Sequence, residues 1–167
     1  IYDTVLCPLG FSEADIKKKT DEHIYCNFND ACAKIHEVGG LVFLHAGTKS
    51  NGIEQLDSDL KSLLKKDMVS KVDIFEVNSI KNATDYEQIV FPILHRDIPC
   101  VMTSDSVDRK KLTYGGHSTE VLGRASTWIK AELSFNGLKQ ILAEPRDRIC
   151  LADEPEKVKD VRTNPSK

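Results

Sequence analysis

Three polar residues that suit metal chemistry stand at the ends of short apolar segments, which recur about every 30 residues as in repeated strand–helix units. The segments are Leu41–His45, Ile74–Asn78 and Cys100–Asp105, and they carry His45, Glu76 and Asp105 respectively. The carboxyl ends of parallel strands open onto one edge of a sheet, so we expect these side chains to face one site. One imidazole and two carboxylates suit a divalent metal. The structural alternatives are a backbone-bonded His45 and an Asp105 that caps a helix or turn.

Other polar residues fall on the same predicted edge. Glu76 is flanked by strand residues and needs a polar partner or solvent, so we interpret it as a group that orients a histidine or lysine. Asn78 is a further candidate for the rim. His117 follows two glycines that allow close approach to a site, where it can supply a ligand or a proton. The alternative for His117 is an inert histidine in an exposed loop.

Basic residues occupy the loops around these candidates. Lys49, Arg109 and Arg124 can pair with phosphate oxygens, and the alternative is a solvated basic rim. The chain has no phosphate-binding P-loop, no Gly-x-Ser-x-Gly elbow and no dinucleotide-binding glycine motif. Nucleotide hydrolysis by this segment alone is therefore unsupported.

The elements that must position these residues alternate between helix-like and strand-like patterns, which predicts an α/β fold with parallel strands. Helices are predicted near 29–38 (capped by Asn29), over 55–70, from a capping box at Thr84–Glu87, and after Ser134 up to Pro145. Pro92 is expected to kink or end its helix. Short strands are predicted at 41–45, 73–77, 98–103, 127–130 and 149–151.

Length and composition limit the alternatives. The 167 residues suit one domain, and a net charge of −3 gives no global basic field that calls for nucleic acid. No apolar run approaches the roughly 18 residues of a membrane span, so we expect no membrane partner. The five cysteines are odd in number and form no Cys-x-x-Cys pair, which favours reduced thiols and a cytoplasmic location.

The two ends suggest a larger protein. The chain starts at Ile1 rather than at a methionine, and it stops in a polar stretch with the composition of a linker. We therefore expect residues 1–152 to be part of an α/β domain. Residues 153–167 are expected to be a linker toward a missing downstream domain.

The sequence resembles the PHP (polymerase and histidinol phosphatase) superfamily over about residues 29–152. The segments that carry the resemblance are Gly39–Gly47, Ile74–Asn78, Thr103–Ser106, Leu122–Ala131 and Phe135–Arg148. The last two look like PHP domains joined to a bacterial SMC-like or AAA-like ATPase of the DNA-repair type. The Thr-Trp-Ile-Lys sequence at 127–130 is the most specific of these signals.

The resemblance implies the carboxyl-terminal part of a distorted, TIM-like (β/α)7 barrel that binds divalent metals and hydrolyses phosphate esters through metal-bound water. His45 matches a metal-ligand histidine, and Asp105 matches the aspartate of the final Asp-x-His pair. Val107 stands where that pair has its histidine, and the family's early His-x-His and Asp-His motifs do not occur before His45. Catalytic zinc alone uses three protein ligands, so we expect weak or no metal binding by this segment in isolation.

Two functional hypotheses follow. In the first, the chain is part of a metal-dependent phosphoesterase that uses zinc, manganese or iron and acts on a nucleotide or nucleic acid. In the second, it is a degenerate, non-catalytic PHP module that scaffolds or regulates an attached ATPase. An incomplete barrel would expose strand edges, so a homo-oligomer is a further expectation.

Overall fold

The computed structural model describes residues 2–18, 25–46, 66–103, 113–114, 117–118, 127–151 and 154–164. The chain divides into two compact units. The first unit comprises Ile1–Phe43 with Leu56–Asp73, and the second comprises Leu44–Gln55 with Ile74–Lys167. Helices alternate with short strands, which confirms the predicted α/β class.

The helices within the described residues are α1 (Glu13–Lys18), α2 (Phe28–Glu37), α3 (described over 66–70), α4 (Ile80–Asp85), α5 (Phe91–Leu94), α6 (Phe135–Gln140), α7 (Pro145–Arg148) and α8 (Glu156–Thr163). Two π-helical stretches occur, at Tyr2–Leu6 and Tyr86–Val90. No helix within the described residues combines the length and the apolar character needed to cross a membrane.

The main sheet contains three strands in the order of the sequence, β1 (Phe43–His45), β2 (Ile74–Glu76) and β3 (Cys100–Val101). β2 and β3 are parallel, with Phe75 opposite Cys100 and Glu76 opposite Val101. The end of β1 joins β2 through a 2.8 Å bond from the Ala46 amide to the Glu76 carbonyl. The predicted parallel sheet is therefore confirmed, and it aligns the carboxyl ends of its strands.

The second unit packs around β2. Ile74 and Phe75 are both fully buried, as expected for a parallel strand that is covered on both faces. The Phe75 ring meets Tyr86 edge-on, with centroids 4.9 Å apart, and stacks on Phe91 at 6.3 Å. The aromatic contacts fix the helical segment from Ile80 to Leu94 against the strand that carries Glu76.

Among the described residues of the first unit, the buried apolar side chains are Cys32, Val42, Val69 and Val72. The predicted cap of helix α2 is wrong. The helix begins at Phe28, and its cap is Asn27, whose side chain accepts the amides of Asn29 and Asp30. The helix ends at Glu37, just before Gly39 and Gly40. A Cβ at Gly40 would lie 2.7 Å from Cγ2 of Ile35, so only glycine fits this close approach.

The predicted helix start at Thr84 is wrong. The helix begins at Ile80, where the Ser79 side chain accepts the Asn82 amide at 3.1 Å. Thr84 lies inside the helix, and its hydroxyl donates back to the Ile80 carbonyl. The helical run ends at Leu94, two residues after Pro92, and His95 takes a left-handed conformation with φ of 51°.

The carboxyl-terminal region contains two antiparallel pairs. Thr113–Tyr114 (β4) pairs with His117–Ser118 (β5), and Trp128–Ile129 (β6) pairs with Ile149–Cys150 (β7). The predicted strands at 127–130 and 149–151 are confirmed, and so is Ser134 as the cap of α6. Pro145 does not follow directly on α6, which ends at Gln140; it opens the short helix α7. The polar segment 153–167 includes helix α8.

Candidate functional site at the carboxyl end of the sheet

His45 and Glu76 meet at the carboxyl end of the parallel sheet. His45 ends β1 and Glu76 ends β2, and His45 Nδ1 lies 3.0 Å from Glu76 Oε2. Their side chains are 23% and 25% exposed, so the pair is sheltered but still reached by solvent. The backbone bond from Ala46 to Glu76 holds the two strand ends side by side, which makes this meeting a consequence of strand register.

The hydrogen bond to Glu76 determines which ring nitrogen of His45 carries the proton. An ionised carboxylate can only accept, so Nδ1 of His45 must donate to Glu76. In a neutral ring this leaves the lone pair on Nε2, the nitrogen that can bind a metal or accept a proton. A carboxylate on the other ring nitrogen is the usual arrangement for a metal-binding histidine.

Thr103 completes this cluster, which we call the strand-end triad (His45, Glu76 and Thr103). Its hydroxyl donates to Oε1 of Glu76, so each carboxylate oxygen has a partner from a different strand end. Thr103 lies two residues beyond β3 and was not among the predicted site residues. The available signal was its hydroxyl, which lies just past an apolar strand.

The remaining predicted site residues have varied placements. Asn78 is exposed two residues after Glu76, and the hydrogen bonds of the described residues do not link it to the triad. The backbone of His117 pairs with Tyr114 in the β4–β5 ladder. The structure does not describe the side chain of His117, nor the residues Asp105, Lys49, Arg109 and Arg124. The roles of all five therefore stay predictions. Within the part of the chain described, no three His, Cys, Asp or Glu side chains converge to hold a metal.

A second histidine–carboxylate pair occurs in the first unit. His36 on α2 places Nε2 2.8 Å from Oδ2 of Asp73. The same oxygen accepts the buried amide of Val42 at 2.7 Å. Asp73 is the buried charged residue of this unit, and its carboxylate joins a helix to the chain segment that leads into β1. Neither His36 nor Asp73 was among the predicted site residues.

The two buried thiols are poor nucleophiles. All five cysteines fall within described residues and none forms a disulfide. Burial, reinforced by the charge of Glu87, raises the pKa of the Cys100 thiol to about 12. Burial also raises the pKa of Cys32. Both thiols are therefore protonated near neutral pH, whereas the reactive form of cysteine is the thiolate.

Comparison with known proteins does not assign a family. No protein-family model matches the chain, and no characterised protein or solved structure is significantly similar to it.

Proposed function

We propose that this chain is the carboxyl-terminal part of a PHP-type barrel domain whose strand-end site hydrolyses phosphate esters with a divalent metal. The observation that carries the proposal is the 3.0 Å contact between His45 Nδ1 and Glu76 Oε2 at the aligned carboxyl ends of parallel strands. Active sites of (β/α) barrels lie at that end of the strands. Sheet order that follows sequence order is also what successive strand–helix units of a barrel produce.

The donor set fits such a metal in chemistry, although it is incomplete. His45 would bind through Nε2, and Asp105, which the family resemblance matches to a ligand, would join it. A bound divalent metal would supply a water whose pKa is lowered to about 7, and hence a nucleophile at neutral pH. Zinc, manganese and iron all accept this combination of imidazole and carboxylate. The ligands beyond these two would come from chain outside this sequence.

The chain's own residues have distinct tasks in this proposal. Glu76 holds the proton of His45 on Nδ1 and so keeps Nε2 available. Lys49, Arg109 and Arg124 provide positive charge for phosphate oxygens, which suits a nucleotide or nucleic acid substrate. The resemblance also makes an attached ATPase the proposed partner in the same protein.

The test uses the intact protein that contains this chain, purified without chelator. Metal content is measured by elemental analysis, and hydrolysis of bis(p-nitrophenyl) phosphate is followed with added Mn²⁺ or Zn²⁺. We expect His45→Asn to reduce activity at least about 100-fold and Glu76→Gln to reduce it roughly 10–100-fold, each with lower metal occupancy. The matched control is His36→Asn, which changes the other histidine–carboxylate pair and leaves activity and metal content intact.

The non-catalytic module is the second candidate, and one observation favours it. By the family resemblance, Val107 stands where a ligand histidine is expected. In that case the domain scaffolds or regulates the attached ATPase. An intact protein that holds no metal and hydrolyses no phosphoester, yet whose ATPase rate changes when this domain is deleted, would establish the scaffold role and exclude the enzyme.

A further inference from the structure

The backbone just past the end of β3 is held by a side chain, that of Thr127. Pro99 and Val101 direct their carbonyls to Phe75 and Val77 on the β2 side. Backbone polar groups alternate sides along a strand, so those of Met102 face away from β2. The Thr127 hydroxyl meets both of them, accepting the Met102 amide at 2.8 Å and donating to the Met102 carbonyl at 3.1 Å.

This attachment bears directly on the strand-end triad. The residue after Met102 is Thr103, whose hydroxyl donates to Glu76. Thr103 is exposed, so water competes for the hydrogen-bonding groups on both sides of that contact. A hydroxyl on a mobile strand end would lose this competition. A strand end held at Met102 keeps the hydroxyl in reach of the carboxylate.

We infer that Thr103 and Thr127 are positioning residues that set the tautomer of His45. The Thr127 hydroxyl holds the backbone at Met102. The Thr103 hydroxyl donates to Oε1 of Glu76, which leaves Oε2 to accept a hydrogen bond from Nδ1 of His45. The site thereby presents the Nε2 lone pair to a ligand. The use of that lone pair rests on the proposed function, whereas the tautomer itself is a property of this chain alone.

The inference is tested on the full 167-residue chain labelled with ¹⁵N, without metal or substrate. Long-range ¹H–¹⁵N NMR at a pH of about 8.5, well above the ordinary histidine pKa, reports which ring nitrogen carries the proton. In the wild type, His45 is expected mainly as the Nδ1–H tautomer. Thr103→Val and Thr127→Val remove one hydroxyl each at nearly constant volume, and each should lower the ratio of Nδ1–H to Nε2–H by roughly fivefold.

Two controls separate positioning from general loss of structure. Thr127→Ser keeps the hydroxyl and should restore the wild-type ratio. His36 provides an internal reference, because Asp73 bonds its Nε2 and should hold the opposite tautomer in every folded variant. If Thr127→Val leaves the His45 ratio unchanged while His36 keeps its signal, Thr127 has no positioning role; if Thr103→Val also has no effect, the whole inference is wrong. Because no metal is present, a failed phosphoesterase assay has no influence on this result.

Discussion

His36–Asp73 and His45–Glu76 are the same two functional groups at nearly the same distance, 2.8 and 3.0 Å, in different units of the molecule. Their surroundings differ. The Asp73 carboxylate is 12% exposed and accepts a buried main-chain amide, whereas Glu76 is 25% exposed and accepts a side-chain hydroxyl. The first pair is bonded through Nε2 and the second through Nδ1.

The difference separates a structural pair from a candidate site. A carboxylate that satisfies a buried amide is part of the framework, because its removal leaves that amide without a partner. A carboxylate whose other contact is an exposed hydroxyl contributes little to the framework and remains available to tune an imidazole. The same two residue types therefore serve two purposes, and the second partner of the carboxylate decides which.

The largest expected effect is on the free energy of unfolding when Asp73 and Glu76 are each replaced by alanine. Asp73→Ala deprives the Val42 amide and His36 of their shared acceptor, and we expect a loss of about 3 kcal/mol in the free energy of unfolding. Glu76→Ala should cost less than about 1 kcal/mol, because its partners are open to solvent. Urea denaturation of both variants measures the contrast. Equal losses would remove the distinction between the two pairs.

A second test asks whether strand β3, which carries Cys100, is shielded from water in the folded protein. Cys100 faces Phe75 in the β2–β3 register, and its pKa is raised from 9.0 to about 12. The unfolded chain releases this proton at lower pH than the folded chain, so stability should fall as pH rises from about 9 toward 12. The slope is at most about 1.4 kcal/mol per pH unit.

The measurement for this second test compares urea midpoints of the wild type and Cys100→Ala across that alkaline range. The substitution removes the titrating thiol, so the variant should show the shallower decline. Parallel curves would mean that Cys100 is already accessible to solvent in the folded protein.

The smallest expected effect is a change in stability at acidic pH, which comes from a carboxylate in the first unit. Asp67 is exposed, and hydrogen bonds from Lys71 and Asn29 hold its pKa below the ordinary value of 3.8. Its contribution to stability is therefore complete above pH ~4 and disappears as pH falls through the lower, folded value. Thermal unfolding of wild type and Asp67→Asn should differ slightly near neutral pH and converge in strong acid. A difference that widens on acidification would contradict the lowered pKa.

The strands were the most predictable part of the fold. Short, largely apolar runs at 41–45, 73–77 and 98–103 predicted them. The burial of Ile74, Phe75, Cys100 and Val101 in β2 and β3 follows from this composition, whereas Phe43 in β1 is exposed. The meeting of His45 with Glu76 could be anticipated because parallel strands bring their carboxyl ends together. The helix after β2 was placed too late because Thr84 and Glu87 have the capping-box spacing, whereas Ser79, which caps the helix, has Asn82 at that spacing.

The hydroxyl groups could not be assigned from the sequence. Thr103 and Thr127 are 24 residues apart in the numbering and lie next to strands of different sheets, and threonine is common enough that its presence carries little information. The roles of the two threonines depend on which side of β3 the backbone polar groups of Met102 face, and the register of β3 with β2 sets that side. The Asp73 contact is similar, because a buried carboxylate is recognised only when its main-chain partner is known.

The Thr127 hydroxyl also limits how the main sheet can grow. A further strand, whether from another copy of the protein or from a neighbouring part of a larger domain, would have to break two hydrogen bonds to reach the backbone of Met102. At that residue the outer margin of β3 is closed to self-association, so any assembly of copies through this sheet would have to start elsewhere along it.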